Sequence, residues 1–169
     1  GFQVVVKERL EVLALCCSQR VNDGLSIEES ISAIRTAGGI PVINWSPGKW
    51  MGIRGRIIER VIKNFSPSEV LLGDISMRPD GFKLPHLVRM GIKSGYRLIA
   101  GTDPLPISSE ESMVGSYGIS GECLIDENRP AAWFREMLFN GEWNLYGRRN
   151  SLKITLSRYL SYYRAKKIA

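Results

Sequence analysis

Residues 40–56 constrain the fold of this chain most, because a strand pattern, a loop and the start of a helix follow one another there without a gap. The stretch begins with Ile-Pro-Val-Ile between glycines and Ser-Pro-Gly, which indicates a short buried strand. A basic, glycine-rich loop at a helix start offers free backbone N–H groups and a positive dipole end, so it predicts an anion site that includes Lys49, Arg54 and Arg56. The alternative, glycines that only shape a turn beside solvated cations, fits the local pattern equally well, because the loop matches neither standard glycine-rich phosphate motif.

The composition narrows the class of protein. With 44% hydrophobic and 24% charged residues over 169 positions, it is typical of a soluble globular domain. No uncharged apolar run approaches the roughly 20 residues that a transmembrane helix requires. The three cysteines form neither an even set nor a Cys-x-x-Cys pair, which argues against a disulfide framework or a zinc site and favours a reducing, cytoplasmic location.

The net charge of +6 is concentrated near the C-terminus. Residues 143–169 contain seven of the 23 Lys and Arg residues and none of the 17 Asp and Glu residues, so residues 1–142 carry about −1. We therefore divide the chain into a domain of βα repeats at 1–142 and a basic helical extension at 143–169. Apolar residues at helical spacing predict that the extension is a terminal amphipathic helix packing on the domain; a membrane- or partner-binding helix is the alternative. This stripe consists of Leu152, Leu156, Tyr159, Leu160 and Tyr163.

Strand and helix patterns alternate along residues 11–100, and the first helix has a clear start in the capping box of Ser26 and Glu29. Alternation with connections of crossover length predicts an α/β fold with a parallel sheet of repeated βα units. The loops after parallel strands meet at one edge, where such folds bind their ligands. The loops at 46–55, 74–83 and 101–108 bring to this edge Lys49, Arg54, Asp74, Arg78 and Asp103.

The order of four pieces, LEVLAL, GLSIEESI, AGGIPVI and AGTD, resembles the C-terminal half of the PHP (polymerase and histidinol phosphatase) family and its amidohydrolase-like neighbours. The resemblance covers roughly residues 10–118 and implies an incomplete TIM-barrel-like fold. A complete barrel takes about 250 residues, so the chain is expected to be half of a longer protein or to associate with another copy. Where the family has two metal-binding histidines, this chain has Ser46 and Leu105, whereas Asp103 of the family motif is kept.

Three functions follow as expectations. The first is a divalent-metal-dependent hydrolase of the phosphoesterase type, with Asp74 and Asp103 as catalytic residues and ligands of Mg or Mn rather than Zn, assisted by Glu110 or Glu111.

The second is a metal-free domain that binds a small phosphate-like anion, or a partner. Its anion site would be formed by Lys49, Arg54, Arg56 and Arg78. The third and least favoured is nucleic-acid binding through the tyrosines and arginines of the extension. Membrane binding is not expected.

Overall fold

Short apolar runs form a five-stranded sheet at the centre of the computed structural model, which describes residues 1–122 and 124–168. The strands are β1 (Phe2–Val5), β2 (Glu11–Leu15), β3 (Ile40–Asn44), β4 (Leu71–Ile75) and β5 (Leu98–Gly101), and they lie side by side in this order. A separate antiparallel pair is formed by β6 (Tyr117–Ser120) and β7 (Asn144–Gly147). The α-helices are α1 (Ile27–Thr36), α2 (Gly52–Asn64), α3 (His86–Lys93), α4 (Pro130–Asn140) and α5 (Leu152–Ile168), and a 3-10 helix spans Ser108–Met113.

The sheet is mixed, so the predicted parallel sheet of βα repeats is wrong, and so is the incomplete TIM-barrel-like fold. Strands β3, β4 and β5 are parallel neighbours, but β1 pairs antiparallel with β2, and β2 antiparallel with β3. In the part of the chain that the structure describes, the sheet ends at β1 and β5 without closing into a barrel.

The two connections that flank β2 give the first strands their antiparallel directions. The turn between β1 and β2 is tight: the N–H of Val6 donates to the carbonyl of Leu10, and the N–H of the left-handed Arg9 donates to the carbonyl of Val6. So short a connection can only reverse the chain. After β2, residues 16–25 return along the sheet, because the N–H of Gly24 bonds to the carbonyl of Val5 at 2.9 Å. Helix α1 therefore begins at the end of the sheet where β2 began.

Both faces of the sheet are covered by apolar side chains. The larger cluster joins α1, α2 and α3 to one face, and the smaller joins α4 to the other. Neighbouring residues of one strand alternate between the clusters, as Leu71 and Leu72 do. This alternation fixes which helices cover which face. The carboxyl ends of β3, β4 and β5 lie at one edge because these three strands are parallel.

The helix predictions are confirmed at the start of α1 and corrected in α5. Ser26 and Glu29 form the predicted capping box, in which the N–H of Ser26 donates to a Glu29 carboxylate oxygen at 2.8 Å. Helix α5 does not pack through its apolar stripe: the four stripe residues other than Tyr159 are 47–60% exposed. It contacts the domain instead through the buried Thr155 and Arg158. Within the described residues, no helix is long and apolar enough to span a membrane.

Candidate functional site

Asp74, near the carboxyl end of β4, lies in a buried ion pair. Its two carboxylate oxygens accept hydrogen bonds from the Nε and a terminal nitrogen of Arg78 at 2.7 and 2.6 Å, and the Tyr117 hydroxyl donates a third bond at 2.9 Å. Burial and the neighbouring Asp74 carboxylate raise the pKa of Tyr117 to about 12, so its hydroxyl stays a donor. Both charges of the pair therefore already have partners inside the protein.

A second buried ion pair connects α5 to the loop after β5. The Nε of Arg158 donates to Glu110 at 2.8 Å, and another Arg158 nitrogen donates to the Ser76 hydroxyl at 3.2 Å. Burial alone would raise the pKa of Glu110, but hydrogen bonds from Arg158 and from the N–H of Leu105 outweigh it, so this pKa is lowered. Since Ser76 also donates to the carbonyl of Thr102 at 2.7 Å, one polar network links β4, β5 and α5.

A cleft of about 610 Å³ opens beside this network, between the carboxyl ends of the parallel strands and α5. Charged groups reach it from four different segments, namely Glu11 of β2, Lys49 of the loop after β3, Asp103 of the loop after β5, and Lys166 of α5. The remaining lining is mostly apolar or aromatic. It includes Pro47, Ile75, Met77, Pro104, Leu105, Pro106, Tyr159, Tyr162 and Tyr163.

The charged residues of the cleft are only partly enclosed. Lys49 is ion-paired with Glu11, and their side chains are 31% and 25% exposed. Asp103 is exposed as a residue, yet the walls of the cleft remove water from its carboxyl. This desolvation and the charge of Glu11 raise the pKa of Asp103, against the opposing effects of Lys49 and Arg158. The cleft thus holds a cation and two carboxylates that interact with one another and remain open to solvent.

Asp103 also has a backbone role. Its φ of 49° is in the left-handed region, which aspartate and asparagine adopt more readily than most other residues with a side chain. The residue turns the chain at the end of β5 and directs Pro104 and Leu105 into the wall of the cleft. An aspartate here therefore serves the loop as well as the electrostatics of the cleft.

The predicted site residues divide into three groups. Lys49 and Asp103 lie together in the cleft, whereas Asp74 and Arg78 lie paired in the interior. Arg54 donates to the carbonyl of Gly48 at 3.2 Å, and Arg56 is exposed; neither belongs to the lining of the cleft. Of the two assisting acids, Glu110 is held by Arg158, and Glu111 is exposed outside the lining. The structure thus brings together one predicted cation and one predicted carboxylate.

The two carboxylates predicted as metal ligands lie in different surroundings, Asp74 in the interior and Asp103 in the cleft. Asp74 is buried and accepts three hydrogen bonds, so binding a cation there would require breaking the pair with Arg78. Within residues 1–122 and 124–168, no three His, Cys, Asp or Glu side chains are grouped as metal ligands would be.

The sequence interpretation missed Glu11 and the contribution of α5. Glu11 begins a strand, and in an all-parallel sheet it would lie at the edge opposite to Lys49. Because β2 is antiparallel to β3, with Val12 opposite Ile43, the start of β2 lies beside the end of β3. The tyrosines of α5 had a signal in their spacing, but that signal indicated packing rather than the wall of a cleft.

Comparisons of this chain with models of protein families, with curated proteins and with solved structures found no match. The site is therefore interpreted from its geometry.

Proposed function

We propose that this protein binds a small anionic ligand of the phosphate type in the cleft between the carboxyl ends of β3–β5 and α5. The observation that carries the proposal is that Lys49 and Lys166 reach one cleft from segments far apart in the chain. A lysine ammonium is a common partner of phosphate, and two of them in the lining of one cleft attract an anion to it.

The pairing of Lys49 with Glu11 is compatible with this role. Both side chains are about a quarter to a third exposed, and ion pairs open to water contribute only about 0–1 kcal/mol. A phosphate can therefore compete with Glu11 for the ammonium group at little cost. The same competition at Arg78 would be unfavourable, because the removal of one partner from a buried pair costs about 3–5 kcal/mol.

A metal-dependent phosphoesterase, which the resemblance to the PHP family implies, is the second candidate. Its support is that Glu11 and Asp103, both able to supply oxygen ligands, line the same cleft. Asp74 does not contribute to it, because its carboxylate is held by Arg78. We therefore favour binding without a metal over hydrolysis.

Thermal unfolding of the full chain with increasing inorganic phosphate tests the proposal, with chloride at equal ionic strength as the reference. We expect phosphate to raise the Tm by mass action, by the equivalent of about 2.7 kcal/mol at 100 times the Kd. The shift should be lost in Lys49→Gln and retained in Lys93→Gln, which removes the same charge from an exposed position of α3. An equal phosphate effect in both variants, or none in the wild-type chain, would refute the proposal.

A further inference from the structure

The cleft is larger and chemically more varied than a phosphate ion requires. Its volume of about 610 Å³ is in the range of pockets that hold whole metabolites, about 300–1,000 Å³. Apart from the two lysines, it offers aromatic rings and carboxylates, neither of which contributes to binding of a bare anion. These additional groups indicate what the rest of the ligand carries.

The wall formed by α5 is aromatic. Tyr159, Tyr162 and Tyr163 line the cleft from adjacent turns, and the rings of Tyr162 and Tyr163 lie 5.6 Å apart at 57°. Among the described residues, the hydroxyls of these three tyrosines form no hydrogen bond to the protein. Their rings and hydroxyls are therefore available to a ligand, and an exposed tyrosine face pairs well with the flat side of a ring.

The carboxylates require hydrogen-bond donors from the ligand. Glu11 and Asp103 repel an anion, so the part of the ligand beside them should carry polar hydrogens rather than a second negative charge. The amide of Asn44 adds one further donor and acceptor to the same cleft. Hydroxyl groups fit better than an ammonium group, because Lys49 and Lys166 line the same cleft and repel a cation.

Together these walls define the ligand. We propose that the natural ligand is a phosphate ester of a hydroxylated ring, the chemistry that sugar phosphates and nucleotides share. Its phosphate lies at Lys49 and Lys166, its hydroxyls donate to Asp103 and Glu11, and one face of the ring stacks on the α5 tyrosines. This inference rests on the proposed binding of phosphate in the cleft.

Isothermal titration of the full chain with five probes separates these contributions. Ribose 5-phosphate has ring, hydroxyls and phosphate, whereas phenyl phosphate lacks the hydroxyls, glycerol 3-phosphate lacks the ring, and inorganic phosphate lacks both. We expect ribose 5-phosphate to bind more tightly than phenyl phosphate by about fivefold, the size of one hydrogen bond. Over glycerol 3-phosphate the gain should be about tenfold, the size of burying about two CH2-sized groups of the ring, and over inorganic phosphate it should be larger still. Adenosine 5′-phosphate is the fifth probe, and a tighter affinity than that of ribose 5-phosphate would assign the site to nucleotides rather than sugar phosphates.

Variants assign each contribution to a side chain. Tyr162→Leu or the more exposed Tyr163→Leu should weaken ribose 5-phosphate by up to about tenfold, the size of about two buried CH2-sized groups of the ring, and leave inorganic phosphate unchanged. Tyr146→Leu on β7 serves as the control. Asp103→Asn should weaken ribose 5-phosphate about fivefold, the size of one hydrogen bond, and should not weaken phenyl phosphate, because it removes a charge that repels the anion. Tm values without ligand that are no lower than that of the wild type would show that these variants fold.

The outcomes distinguish this inference from the proposal on which it rests. If inorganic phosphate binds through Lys49 but ribose 5-phosphate binds no more tightly, the inference is wrong and the proposed function stands. Tightest binding of glycerol 3-phosphate, or ribose 5-phosphate affinities unchanged in both tyrosine variants, would also overturn the inference. If neither phosphate nor any ester binds in a Lys49-dependent way, both are wrong.

Discussion

The carboxyl ends of β4 and β5 each bring an aspartate to the same edge of the sheet, and the two regions around them differ. Asp74 lies in the interior, where Arg78 and Tyr117 supply three hydrogen bonds. Asp103 lines a cleft, where its carboxyl is partly desolvated and lies near the charges of Glu11 and Lys49. A charge at the edge of a sheet thus stabilises the fold where a guanidinium packs on it, and is available to a ligand where solvent reaches it.

The largest effect that tests this difference is expected from Asp74→Ala. The substitution leaves the buried Arg78 guanidinium without its partner, so urea unfolding at neutral pH should show a loss of about 3–5 kcal/mol. The control is Asp80→Ala, because Asp80 is 65% exposed beside Arg149, and its loss should stay below about 1 kcal/mol. If Asp74→Ala keeps its stability but loses phosphate binding, Asp74 belongs to the ligand site and the comparison fails.

A smaller effect is expected from the pH dependence of the Glu110–Arg158 pair. The folded-state pKa of Glu110 lies below its ordinary value of 4.5, so its contribution to stability is fully present above pH 4.5. This contribution is lost as the pH falls through the folded-state pKa. Compared with the wild type, Glu110→Gln should be less stable at neutral pH, and the gap should narrow below pH 4.5.

Glu111→Gln is the matched control for Glu110→Gln, since Glu111 is exposed in the same 3-10 helix. Its free energy of unfolding should follow that of the wild type at every pH. A gap between the wild type and Glu110→Gln that does not change from neutral pH to below pH 4.5 would mean that the ion pair with Arg158 does not depend on the charge of Glu110.

The smallest effect, and one of opposite sign, is expected from Asp103→Asn. The folded-state pKa of Asp103 lies above its ordinary 3.8, so folding disfavours the charged form. The wild type therefore loses stability relative to Asp103→Asn as the pH rises through the folded-state pKa, and the two converge below pH 3.8. Urea unfolding across this range measures the difference, with the exposed Glu127→Gln as the control. A less stable Asp103→Asn at neutral pH would show that Asp103 is held by a partner, like Asp74.

Local patterns predicted much of the secondary structure. The apolar run that begins at Ile40 became a strand, as predicted, and the capping box of Ser26 and Glu29 formed as expected. These features depend on residues within a few positions of each other, where hydrogen bonding and side-chain spacing follow from the sequence. The same local reasoning brought Lys49 and Asp103 to one edge, because β3, β4 and β5 are indeed parallel neighbours.

The direction of β2 could not be predicted from alternating strands and helices. A strand–helix–strand pattern predicts a parallel pair only if the helix alone carries the chain back to the end of the sheet where the first strand began. Here residues 16–25 first return to Val5, so α1 starts from the opposite end of the sheet. This return depends on hydrogen bonds to β1, which a local pattern does not reveal. It is also the reason why Glu11 reaches the cleft.

The sequence by itself determined where the strands and helices lie and which charged residues follow the parallel strands. Only the tertiary structure decided which of those charges are neutralised in the interior and which face the cleft. Asp74 and Asp103 are equivalent in sequence pattern, because each follows an apolar strand and precedes a loop. Their surroundings differ because Arg78 and Tyr117 fold back on one carboxylate, while α5 arrives from the far end of the chain to form a wall beside the other.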